Sequence, residues 1–348
     1  MSGYRELYTL VRDRIAVPDA LGRIPFKAAG PGPIDRPLVS EHLHGVGFRP
    51  YYPGGATFAL CASHDIDILM TPTFREKLGT IRQGGLAFNL ENLKGLFQRY
   101  VDPRYSIDRV LELERALGVR SSFYFLSLEH GDEDFNYDVR EVADQFKMVT
   151  DSGNEIGLHG GHGAYNDASV LAREKNRLMA ITGTPPAGYR NHYLRFDLER
   201  TWSLLWEAGF IYDTTIAYSD QAGFRNGMCY PHRPMDPING SFLPMIELPL
   251  TIMDVTVLSH MGLDRSQAME LCKRLVLSVK GCGGVITILW HNTYMHTSWG
   301  SFYRDLLSFC MEHGAWSATT GELVEHWVST GQLGAMEAIL SDHTLSHT

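Results

Sequence analysis

The feature that most constrains this chain is a repeated alternation of short apolar runs with amphipathic stretches, from Thr57 to about residue 330. Residues 58–62, FALCA, read as a strand buried on both faces, because an apolar run without polar alternation suits the middle of a parallel sheet. A helix is expected over 107–117, a strand over 121–126, a helix from Asp138 that ends at Gly153, and a strand over 155–158. Further helices are expected over 168–181, 197–208, 264–279, 301–313 and 320–329, with strands at 187–190, 211–216, 246–257 and 285–290. Strand and helix in alternation imply parallel strands joined by crossover helices. About seven strands favour an α/β fold closed, or nearly closed, into a (β/α) barrel. No glycine-rich dinucleotide or phosphate-binding fingerprint follows a strand.

Composition narrows the partners. The chain has 348 residues, a formal net charge of -9 and no run of Lys or Arg, which argues against nucleic acid or an anionic membrane surface. The five cysteines are widely spaced in apolar surroundings and read as free thiols of a reducing compartment. Arg5, Glu6, Arg12 and Asp13 stand where a secretory signal needs an apolar core, and no segment approaches the ~20 apolar residues of a membrane span, so a cytoplasmic location is expected. Residues 1–55 read as a helix over 3–15 and an irregular Pro- and Gly-rich connector packed on the barrel, 56–330 as the barrel, and 331–348 as a polar tail. An insertion at 73–105 is placed to cap the site. The sequence leaves the oligomeric state open.

The chemistry-bearing residues collect at the carboxyl ends of the expected strands: His64, Asp65 and Asp67, then His159 and His162, Arg190 and His192, Asp213, and His291. In a barrel those ends converge on one face. Two carboxylates one residue apart raise each other's pKa and need a positive neighbour, either an arginine or a metal ion. A carboxylate with two imidazoles suits Zn²⁺ or another divalent ion. In 213–234, Asp220, Arg225, Tyr230 and His232 have the chemistry to bind a sugar, or to cover a core; Trp290 and Trp299 divide the same way between a sugar platform and packing.

These motifs resemble, in order, those of the polysaccharide deacetylases of carbohydrate esterase family 4, in their Asp-x-Asp subgroup. The resemblance implies Asp65 as general base, Asp67 and His159 (LHGGH) as metal ligands, Arg190 (GYRNHY) as the partner of the base, His291 (ILWH) as general acid and Asp213 as the acid that tunes it. The family's second histidine lies four residues after the first, where this chain has Gly163; His162, at three, is the candidate third ligand, with His192 beside it as a wall of the site. The implied reaction is metal-dependent removal of an N-acetyl group from an amino sugar or glycan, with Arg225, Tyr230, His192 and Trp290 as substrate contacts. Two alternatives stay open: a barrel that binds glycans without cleaving them, and a hydrolase of another C–N bond, such as a cyclic amide or imide.

Overall fold

Every strand pairing in the sheet is parallel. The computed structural model describes residues 3–29, 32–69, 104–236 and 240–341. The expected cap at 73–105 lies outside the described residues except for its last two, and so do His343 and His347. The chain opens with α1 (Gly3–Tyr8), α2 (Val11–Arg14), α3 (Phe26–Ala29) and α4 (Leu38–Gly45). The helix expected over 3–15 is broken at Leu10, whose φ of 55° is left-handed and cannot continue an α-helix.

The barrel elements follow as β1 (Phe58–Ile66), α5 (Arg104–Leu117), β2 (Ser121–Leu126), α6 (Ala143–Asp151), β3 (Glu155–Gly160), α7 (Ala168–Thr182), β4 (Gly188–Asn191), α8 (Thr201–Glu207) and β5 (Tyr212–Asp213). After these come β6 (Ile246–Glu247), β7 (Ile252–Met253), α9 (Arg265–Cys282), β8 (Val285–Leu289), α10 (Ser298–Glu312), β9 (Ala315–Ser317), α11 (Thr320–Ser329) and α12 (Gln332–Ser341). Helix ends obey local chemistry: Asp264 with Gln267 and Thr319 with Glu322 form capping boxes that satisfy the first N–H groups of α9 and α11.

The strand order is β6-β5-β4-β3-β2-β1-β8-β7, with β9 paired to the start of β1. The two outer strands, β6 and β7, are neighbours in sequence, so residues 248–251 carry the chain from one edge of the sheet to the other. Leu248 N donates to Asp213 O (2.9 Å), Leu250 N to Ile216 O (3.1 Å) and Thr251 N to Thr287 O (3.3 Å). A distorted, nearly closed barrel results. The strands expected at 211–216 and 246–257 shrink to two-residue pieces because this crossing segment bonds to both edges in turn.

The apolar core lies between the sheet and its helices, as where Phe125 meets Phe146 edge-on at 4.5 Å. Where a polar tail is expected from 331, residues 332–341 form α12, which buries Leu333, Met336 and Leu340. Among the described residues no helix is long and apolar enough to cross a membrane.

Candidate active site

Successive side chains of a strand face opposite sides of the sheet. In β1 this sends His64 toward the helices, where it contacts Glu114 of α5 and Tyr303 of α10, and Asp65 toward the barrel interior, with Asp67 just past the strand end on Asp65's side. The register sets Asp65 beside Tyr124 of β2, and His159 of β3 beside Arg190 of β4. Arg190 is fully buried: its Nη1 donates to Asp65 Oδ1 (3.0 Å) and Ser63 Oγ (2.9 Å), its Nε to Thr214 O (3.0 Å), and its plane lies 4.7 Å over the Tyr124 ring. Fixed on several sides, Arg190 holds one oxygen of Asp65 and leaves Oδ2, 3.8 Å from His159 Nε2, on the cavity side.

Three donor atoms gather at the strand ends. His159 Nε2 lies 3.1 Å from Asp67 Oδ1 and 3.1 Å from His192 Nδ1, and His192 Nδ1 lies 3.5 Å from Asp67 Oδ1. His159 Nδ1 is 3.0 Å from Arg190 O. A carbonyl only accepts, so that nitrogen carries a proton and the Nε2 of the neutral ring points its lone pair at Asp67. Asp67 Oδ1 is a buried acceptor without a well-formed hydrogen bond. Two ring nitrogens and an oxygen at such spacing could hold a cation between them. Donors held about 2.1 Å from one divalent ion lie roughly 3.0–3.4 Å apart, so Asp67, His159 and His192 fit such an ion.

His162 is not in this group. The turn that carries it is pinned, because a Cβ on Gly160 would lie 2.0 Å from Tyr189 Oη and one on Gly161 2.5 Å from Leu128 Cδ2. Glycine serves close packing there, and His162 is directed to Glu133 (3.4 Å) and Asp134 (3.8 Å).

His291, at the end of β8, is held by Asp254: its backbone N donates to Oδ2 (2.7 Å), and its Nδ1 lies 2.8 Å from Oδ1. Its Nε2 is 3.5 Å from Asp67 Oδ2. Asp213, the acid expected to tune His291, is elsewhere, bound to Thr215 (Thr215 Oγ1 donates to Oδ1, 2.6 Å) and facing Glu247. Asp254 was missed because β7 has only two residues and no periodic signal, although an acid just past a strand end was the available clue.

Charges at the site follow from these contacts. Burial alone would raise Asp67, but the imidazoles of His159, His192 and His291 gathered around it hold it well below the usual carboxylate range. Burial lowers His192 to about 4. Burial would also lower His291, but the charge and hydrogen bond of Asp254, with Asp67 and Asp65, raise it to about 10. Burial raises both Asp213 and Glu247, and their repulsion adds to it at Glu247.

The centre opens on a cavity of about 420 Å³, walled by Leu21 and Arg23 of the N-terminal segment, by Met253 of β7, by Val255 and His260 after it, and by Tyr294 after β8. Three expected substrate contacts do not line it. Arg225 is buried in an ion pair with Asp13 (2.9 Å), Tyr230 donates to Cys282 O (2.7 Å) in the core, and Trp290 stacks on Phe302 and Tyr303. Their segments pack under the N-terminal helices and α10 instead. His192 does line the cavity, as one of the three donors.

Fold and site define a parallel, nearly closed barrel with an acid and imidazole centre at its strand ends. No family model matches the chain. It is 29% identical over 91 residues to a peptidoglycan deacetylase of Helicobacter pylori, a match that spans 24% of this chain and only 31% of that protein. A Mycobacterium smegmatis protein assigned to the polysaccharide deacetylases superposes with a TM-score of 0.56 at 20% identity, over 82% of this chain and 94% of that one. A Bacillus anthracis CE4 pseudoenzyme superposes with a TM-score of 0.43 at 11% identity, over 76% and 65%. In fold, then, this chain is of the polysaccharide deacetylase type, and the resemblance carried by its motifs agrees with both the sequence match and the first structure.

Proposed function

We propose that this chain is a metal-dependent amide hydrolase that removes the N-acetyl group of an amino sugar or glycan. The observation that carries this reading is the convergence of Asp65, Asp67, His159, His192 and His291 on one cavity. A divalent ion, Zn²⁺ being the natural choice for this donor set, would polarise the amide carbonyl and acidify the attacking water. Asp67, His159 and His192 would hold that ion. Asp65, with Oδ1 bound by Arg190, offers Oδ2 as the base that takes the water's proton. His291, oriented by Asp254 and protonated at neutral pH, gives its proton to the departing nitrogen as the C–N bond breaks. The new C–O bond makes acetate, and the amine leaves.

The cavity is of a size for one compact ring and its acyl group, and Leu21, Met253 and Val255 make part of its wall apolar. That wall supports a second reading, hydrolysis of a cyclic amide or imide by the same centre. Both are tested by measuring acetate release from N-acetylglucosamine oligomers beside ring opening of cyclic imides, with zinc-loaded protein. Acetate release is expected, and Asp65→Asn should abolish it while zinc stays bound. Ring opening without acetate release would overturn the deacetylase reading; loss of zinc in Asp65→Asn would overturn the division of roles between Asp65 and Asp67.

A further inference from the structure

Of the non-glycine residues with positive φ among the described residues, Leu10, Asp134, Tyr193 and Leu194, all but Leu10 lie beside His192. Side-chain-bearing residues reach that region at a cost, and such strain collects where geometry is held for a purpose. Asp134, φ 65°, is on the loop between β2 and α6; Tyr193 and Leu194, φ 59° and 56°, follow His192 after β4. The two strained pieces meet. Tyr193 Oη donates to Asp134 Oδ1 (3.2 Å), and Asp134 Oδ2 lies 3.7 Å from His192 Nε2 and 3.8 Å from His162 Nδ1.

The two nitrogens of His192 thus face different groups. Nδ1 faces His159 and Asp67, while Nε2 faces the carboxylate of Asp134. A histidine can offer a lone pair to a metal only from the nitrogen without the proton, and a carboxylate on the far side of the ring decides which one that is. At 3.7 Å the contact is electrostatic rather than a formed hydrogen bond. The geometry points to Asp134 as the residue that positions His192 as a metal ligand, keeping the proton on Nε2 so that Nδ1 is free for the ion. The inference rests on the metal reading above and adds to it a source for the third donor, in a chain whose His162 is directed elsewhere.

The test is titration of metal-stripped protein with zinc against a chromophoric chelator, for the wild type, Asp134→Asn and Tyr193→Phe. Asn keeps the shape of the side chain and tolerates left-handed backbone, so Asp134→Asn removes the charge without forcing the loop to refold. Zinc affinity should fall about 10- to 100-fold in Asp134→Asn at unchanged stoichiometry. Tyr193→Phe, which releases Asp134 from one anchor, should cost about threefold. Nitrogen NMR of the zinc-loaded protein should show His192 bound through Nδ1 with its proton on Nε2, and that proton should exchange with water faster in Asp134→Asn. Zinc affinity in Asp134→Asn within about twofold of the wild type, or an unchanged exchange rate of the Nε2 proton, would overturn the inference and leave the metal reading standing. A wild type that takes up no zinc would overturn both.

Discussion

Two histidine–carboxylate pairs in this barrel have the same length and opposite surroundings. His64 Nε2 meets Glu114 Oε1 at 2.8 Å, and His291 Nδ1 meets Asp254 Oδ1 at 2.8 Å. In the first pair the other ring nitrogen meets Trp290 O (2.7 Å), and Tyr303 and Ser121 complete the carboxylate (2.6 Å each), so every polar atom is spent inside the protein. In the second the other nitrogen reaches the cavity, 3.5 Å from Asp67. The pairs are linked through a single peptide, since His64 bonds to the carbonyl just before His291. A histidine beside an acid is therefore no sign of catalysis by itself; the destination of its second nitrogen makes the difference.

That contrast can be broken from either side. His291→Gln should lower kcat per folded molecule by roughly 10³, the usual loss on removing a general acid, and should also lower the unfolding midpoint, because the buried Asp254 loses its partner. Glu114→Gln should lower stability alone. Leaving one partner of a buried pair uncompensated costs about 3 kcal/mol of stability, read by urea denaturation, with kcat per folded molecule unchanged. Equal effects on kcat from both would erase the distinction.

The last prediction concerns pH. In the metal-free protein His291 is raised from an ordinary 6.5 to about 10, so its pairing with Asp254 contributes stability that is full below the ordinary value and is lost as pH rises through about 10. Thermal unfolding of stripped protein from pH 6 to pH 10 should therefore show a decline that Asp254→Asn flattens. The same slope in both would place the titrating group elsewhere.

Much of the site was legible because parallel barrels put their chemistry at strand ends and apolar runs announce the strands. Asp65, Asp67, His159, Arg190 and His291 all follow such runs and all meet at the centre. What stayed hidden depends on short strands and on backbone direction. Asp254 follows a strand of two residues that no periodicity can reveal. His192 and His162 differ in destination because left-handed residues follow one and a pinned glycine turn precedes the other, and neither shows in residue type alone. Arg225 suits a sugar as well as it suits Asp13, and a partner 212 residues away is visible only once the N-terminal segment is folded across the barrel.

The most direct test of the account is the zinc content of the wild type, His192→Ala and His162→Ala after dialysis against trace zinc. About one equivalent is predicted in the wild type and in His162→Ala, with much less in His192→Ala. Zinc retained by His192→Ala and lost from His162→Ala would contradict it, because the third donor would then be the histidine that the glycine turn carries away from Asp67.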